Sequence, residues 1–272
     1  MGQRRTLTRR VGRVVGLAAS VYGLAALGGL MFADRLIFLP PPSSYDDTLE
    51  GLVRLESATG DTIAVRYVER SGARGTVLFA HGNAEDIGHG RAFQDGIADL
   101  GFSVATFDYP GYGLSSGRVG ESGAYAAIDA VYQWLVDERG VDPSSLVVHG
   151  RSLGGAMAAD LAARQPVAGV ILESTFVSAY RVMTRARILP VDQFETLRKV
   201  PDITALILVI HGERDAVVAP WHGRHLANAI PHEQLRMFWV ERAGHNDLAY
   251  VAGASYWEAL RDFVDEATSG SG

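Results

Sequence analysis

Val147-Val148-His149-Gly150-Arg151-Ser152-Leu153-Gly154-Gly155 is a short apolar run, a Gly-x-Ser-x-Gly pentapeptide and the start of a small-residue helical pattern that reaches Ala163. The order predicts a strand, a sharp turn carrying one serine, and a helix that begins at once. Such a turn holds its serine in a strained backbone conformation that lifts the hydroxyl above the sheet edge. Glycine at 150 and 154 removes side chains that would collide where strand and helix approach. Leu153 opens the helix, so its amide points at the serine and can stabilise an anion, helped by the helix N-terminus.

Upstream of this stretch, residues 49–57 and 62–69 alternate apolar and polar positions around Thr59-Gly60-Asp61, which predicts an antiparallel hairpin. From Gly75 the grammar changes. Continuous apolar runs at 76–80 and 102–107 read as strands covered on both faces. Helical patterns occupy 85–100 and 120–139. Downstream come a strand at 167–172, a helical insertion, a strand at 206–210, a helix at 221–230, a strand at 235–240 and a last helix at 255–266. A hairpin followed by alternating strands and helices predicts an α/β fold, with a mostly parallel eight-stranded sheet flanked by helices. The insertion at 174–204 is the place for a small cap.

The 272 residues, 47% of them hydrophobic, are enough for one large core. Cysteine is absent, which excludes disulfides, thiol catalysis and thiolate metal sites. The formal net charge of −6 is uneven: Arg4, Arg5, Arg9, Arg10 and Arg13 precede the first acid, Asp34. The remainder carries 20 basic and 31 acidic residues, formally −11, which argues against nucleic acid as a partner. One lysine, Lys199, beside 24 arginines suggests a G+C-rich bacterial gene.

Residues 14–33 are uncharged and mostly apolar, long enough to cross a bilayer as a helix. The five preceding arginines keep the basic N-terminus, residues 1–13, cytoplasmic. The expectation is therefore a single-pass protein of the bacterial cell membrane with its catalytic body on the far side. A cleaved signal peptide is the alternative, but Met31-Phe32-Ala33 puts a bulky residue where a small one is required. Residues 34–45, with Pro40-Pro41-Pro42, read as a stiff linker, residues 46–268 as the globular domain and 269–272 as a disordered tail.

Two later loops complete a constellation around Ser152. After the strand ending at Ile210 comes His211-Gly212-Glu213-Arg214-Asp215, and after the strand ending at Val240 comes Gly244-His245-Asn246-Asp247. A serine hydroxyl needs a neutral imidazole to take its proton, and the imidazole needs a carboxylate to fix its tautomer. Ser152, Asp215 and His245 stand in that chain order at strand ends, with Glu213 as the rival acid. The second oxyanion donor is the amide of Asn83, or of Ala84, in His81-Gly82-Asn83-Ala84. His81 reads as loop-shaping rather than as a base, Asp247 as a loop cap, and Glu173 as a loop anchor. His149 and His211 read as structural, and His89, His222, His225 and His232 as surface residues without metal-binding spacing. The trio calls for no cofactor and no metal.

Taken together, Phe79-Ala80-His81-Gly82-Asn83-Ala84, Asp108-Tyr109-Pro110-Gly111-Tyr112-Gly113, Gly150-Arg151-Ser152-Leu153-Gly154-Gly155 and the two later loops resemble the α/β-hydrolase superfamily. More narrowly they resemble its membrane-anchored branch, with one N-terminal transmembrane helix and a small cap. That branch includes eukaryotic protein depalmitoylases. The resemblance implies a serine hydrolase for an ester or thioester, with Ser152, Asp215 and His245 as triad. The mix of arginines and apolar residues at 180–189 would let the cap admit an acyl chain beside a membrane.

Overall fold

The computed structural model describes residues 15–17, 20–23, 34–35, 37–185 and 192–269. The chain divides into two compact units, Met1–Ile37 and Phe38–Gly272. In the first, residues 15–17 and 20–23 are helical and exposed. The expected membrane span at 14–33 lies mostly outside the described residues. Among the described residues, no helix is long and apolar enough to cross a membrane.

The second unit is built on one sheet of eight strands: β1 Leu52–Glu56, β2 Thr62–Val68, β3 Thr76–Ala80, β4 Ser103–Phe107, β5 Leu146–Arg151, β6 Gly169–Glu173, β7 Leu206–Gly212 and β8 Leu235–Val240. Their spatial order is β1-β2-β4-β3-β5-β6-β7-β8. β1 and β2 pair antiparallel, β2 meets β4 antiparallel, and the pairs from β4 onward are parallel. Burial explains the sequence pattern. β3, β4 and β6 are buried along their whole length, so they need continuous apolar runs. β1 is half-wet at the sheet edge and can alternate.

The helices are α1 Arg91–Asp99, α2 Glu121–Gln133, α3 Leu153–Ala162, α4 Ala179–Thr184, α5 Thr196–Lys199, α6 Trp221–Ala229, α7 Leu248–Ala252 and α8 Ala254–Ser269. All ten residues of α3 are buried, which accounts for its glycine and alanine content. Three helices depart from the sequence expectation. The helix expected from 85 starts only at Arg91, because the Asp86 carboxylate accepts the backbone N–H groups of Ser44 and His89 and holds 86–90 as turns. The helix expected over 120–139 widens after Gln133 into a π turn, Trp134–Glu138, where Trp134 packs edge-on to Tyr67 with ring centroids 5.3 Å apart. The last helix is preceded by a separate turn of helix, α7, with Gly253 at φ +57° between them.

Candidate active site

Ser152 sits between β5 and α3 at φ 52°, ψ −114°, a region L-residues seldom occupy. Three glycines make the turn possible. A Cβ on Gly150 would lie 2.3 Å from the Gly154 oxygen, and one on Gly154 would lie 2.0 Å from the Ala80 oxygen. One on Gly155 would lie 2.4 Å from Thr175 Oγ1. The strained turn is tied down on both sides of Ser152. Its N–H donates to the Glu173 carbonyl at 2.8 Å, and Thr175 Oγ1 donates to its carbonyl at 2.7 Å.

The loops after β7 and β8 bring the expected partners to this serine. Ser152 Oγ lies 3.0 Å from His245 Nε2, and His245 Nδ1 lies 2.7 Å from Asp215 Oδ2. A carboxylate only accepts, so Nδ1 carries the proton and Nε2 presents its lone pair to the serine hydroxyl. Asp215 is buried, and its other oxygen accepts the N–H groups of Val217 at 2.9 Å and Val218 at 2.7 Å. The rival acid Glu213 is exposed and faces Arg224 at 3.7 Å. Asp247 caps its loop by accepting the Gly244 N–H at 2.6 Å.

His211 also approaches Asp215, at 3.5 Å, but its Nε2–H is committed to the Val218 carbonyl at 2.8 Å. Burial lowers the His211 pKa and keeps the ring neutral, so it brings no charge to compete with His245 for the carboxylate. His81 is buried against the Tyr109 ring, with centroids 4.2 Å apart. Its Nδ1 bonds the Gly82 carbonyl at 2.7 Å, and its Nε2 lies 3.3 Å from Asp108. Burial opposes its charge, yet Asp108 holds its pKa above the ordinary value. Its Nδ1 is thus hydrogen-bonded and its Nε2 faces Asp108, with no bond from either to the serine.

The loop after β3 faces the serine directly. A Cβ on Gly82 would stand 3.6 Å from the Ser152 Cβ. The Gly82 N–H is already used, donating to Glu85 Oε1 at 2.6 Å, and Ala84 adopts φ 58°. The Ala84 N–H donates to Asn83 Oδ1 at 3.0 Å, so the alternative oxyanion donor of the sequence reading is already used.

Several site residues lie outside that reading. The Arg151 guanidinium donates to both Glu85 oxygens and so links the residue before Ser152 to the Gly82 loop. Thr175 carries no motif, and only its position two residues after the end of β6 hints at a role. Beneath the turn, Glu173, read in the sequence as a loop anchor, accepts from His149 Nε2 at 2.8 Å and from the Tyr256 hydroxyl at 2.7 Å. His222, expected at the surface, is buried. It stacks on Trp221 with centroids 3.7 Å apart and accepts the Val177 N–H at 3.2 Å.

Fold and geometry together define an α/β-hydrolase whose sheet edge carries a serine, histidine and aspartate in series. Known proteins narrow the class. The family described as serine aminopeptidase, S33, matches residues 71–192. Alpha/beta hydrolase domain-containing protein 17C of Xenopus tropicalis is 36% identical over 216 residues, 78% of this chain and 68% of that one. Protein 17B of Homo sapiens is 36% identical over 214 residues, 77% of this chain and 73% of its own. For human protein 17C the figures are 38% over 196 residues, 71% and 58%. The chain belongs to the alpha/beta hydrolase domain-containing protein 17 family, and spans 58% to 73% of the length of these relatives. The Pyrococcus furiosus esterase Pf2001 shares the fold at TM-score 0.72 and 17% identity, over 84% of this chain and 99% of that one. The esterase domain of a Rhodothermus marinus protein does so at TM-score 0.62 and 19% identity, over 79% and 97%.

Proposed function

We propose that the chain is a serine hydrolase that cleaves a carboxylic ester or thioester through an acyl-enzyme. The observation that carries the proposal is the unbroken series Asp215–His245–Ser152 on a strained turn. His245 Nε2 takes the hydroxyl proton as Ser152 Oγ attacks the acyl carbon. The carbonyl oxygen becomes an oxyanion facing the amides of Leu153 and Asn83, while Asp215 stabilises the imidazolium. Collapse expels an alkoxide or thiolate that leaves with the proton from His245. Water, deprotonated by His245, then attacks the acylated Ser152, and the carboxylic acid departs.

The branch that the sequence resembles favours a thioester of an acylated protein or lipid. The arginine-flanked apolar segment at 14–33 supports anchoring in a bacterial cell membrane. A second reading, a peptidase, is favoured by the description of the family matching 71–192. Turnover by detergent-solubilised protein on esters and thioesters of rising acyl length, and on peptide amides, separates these, with Ser152→Ala as control. A Ser152-dependent maximum at long acyl chains supports the lipid or acyl-protein reading. Amide turnover without ester turnover would move the assignment to peptidase, and no Ser152-dependent turnover on any substrate would leave a binding protein.

A further inference from the structure

We propose that residues 38–45, which read in the sequence as a plain linker, form a strap that positions the oxyanion loop. The proposal rests on the hydrolase reading above. The Leu39 N–H donates to Asn83 Oδ1 at 2.9 Å and is shared with the Tyr112 hydroxyl at 3.0 Å. Tyr112 itself donates to Asn83 Oδ1 at 2.6 Å, and the Ala84 N–H adds a third donor at 3.0 Å. Three donors on one amide oxygen fix the side chain of the residue whose main-chain N–H the hydrolase reading assigns as second oxyanion donor.

The strap holds the rest of this loop as well. Ser44 donates its N–H to Asp86 Oδ2 at 2.7 Å and its hydroxyl to Asp86 Oδ1. Tyr45 donates to Asp108 Oδ2, and the other oxygen of Asp108 accepts the Ile87 N–H at 2.9 Å. Two glycines leave room for these contacts. A Cβ on Gly88 would lie 2.3 Å from Ser44 Oγ, and one on Gly113 would lie 2.9 Å from the Tyr45 ring. At the other end Phe38 is buried, with its ring 5.7 Å from Phe194 of the cap segment and 6.3 Å from Tyr112. Pro40, Pro41 and Pro42 stiffen the span between the two anchored ends. The loop at 81–90 forms no helix or strand of its own, so its placement depends on side chains brought to it. Leu39 and Tyr112 are therefore positioning residues acting through Asn83.

The test uses the full chain. Leu39→Pro deletes one N–H in a stretch that already continues as proline, Leu39→Ala keeps that N–H, and Tyr112→Phe removes the hydroxyl. Fluorophosphonate titration counts competent sites, and kcat per titrated site and KM are then measured on a p-nitrophenyl ester. Leu39→Pro and Tyr112→Phe should lower kcat per site by roughly 10- to 100-fold, with KM within about twofold and a parallel loss of affinity for a trifluoromethyl ketone. Leu39→Ala should exceed Leu39→Pro by about tenfold in kcat per site. An unchanged kcat per titrated site in Leu39→Pro and Tyr112→Phe, even with a lower Tm, would make the strap merely structural and overturn the proposal. Absence of Ser152-dependent turnover in the parent would instead sink the hydrolase reading itself.

Discussion

Ser152 can hold its left-handed backbone only because the surrounding positions carry no side chains, and this makes the glycines as demanding as the serine. Gly155→Ala would drive a methyl into Thr175, 2.4 Å away in a wall that cannot retreat, because Thr175 is itself bonded to the Ser152 carbonyl. We expect this variant to lose fluorophosphonate labelling at Ser152 and to unfold several degrees lower, read by active-site titration and a thermal scan. The acid differs in kind. Asp215→Asn keeps the shape of the loop but donates to His245 Nδ1 where it should accept, leaving the wrong tautomer facing the serine. Turnover should fall by about 10⁴ with the fold intact. Glu213→Gln, at an exposed site, should fall by less than about twofold. A larger loss in Glu213→Gln than in Asp215→Asn would reverse the assignment of the acid.

Among elements, the pair Glu85–Arg151 joins two stretches that lie side by side only because β3 and β5 are neighbours in the sheet. Arg151→Met should leave a half-buried carboxylate with one partner fewer and cost roughly 1–3 kcal/mol. The double variant Arg151→Met with Glu85→Met should recover part of that loss, measurable as a higher Tm than Arg151→Met alone. No recovery would mean that the two side chains act independently. This pair also marks what the sequence could not reveal. Continuous apolar runs disclosed the buried strands, with β3 read at its observed ends, because burial on both faces leaves no room for polar residues. The triad was legible because parallel strands bring their C-terminal loops to one edge. The start of α1 was not, since the turns at 86–90 follow from Asp86 bonding to Ser44 and His89, and Ser44 comes from a distant segment. His222 escaped for the same reason: nothing in the sequence of its helix shows that the distant Val177 amide will donate to its ring.

At the scale of the whole molecule, buried titratable groups make stability depend on pH. Burial lowers the His222 pKa from 6.5 to about 4. Between those values the unfolded chain takes up a proton that the native ring refuses, so stability falls as pH drops from about 6.5 to about 4. Glu173 acts in the same direction. Burial opposes its charge, but His149, Arg151 and Tyr256 hold its pKa below the ordinary value, so the stability it contributes is also lost as acid protonates it. Tm should therefore decline between pH 6.5 and 4, and His222→Gln should flatten the decline. An equal slope in parent and variant would remove His222 from the account. Under the proposed function, the series Asp215–His245–Ser152 makes Ser152 Oγ the atom at which the acyl-enzyme forms. Intact and peptide mass spectrometry after fluorophosphonate treatment tests that claim most directly. One adduct on the peptide containing Ser152, absent in Ser152→Ala and strongly slowed in His245→Ala, is the predicted result. An unlabelled protein, or an adduct at another residue that persists in Ser152→Ala, would contradict it.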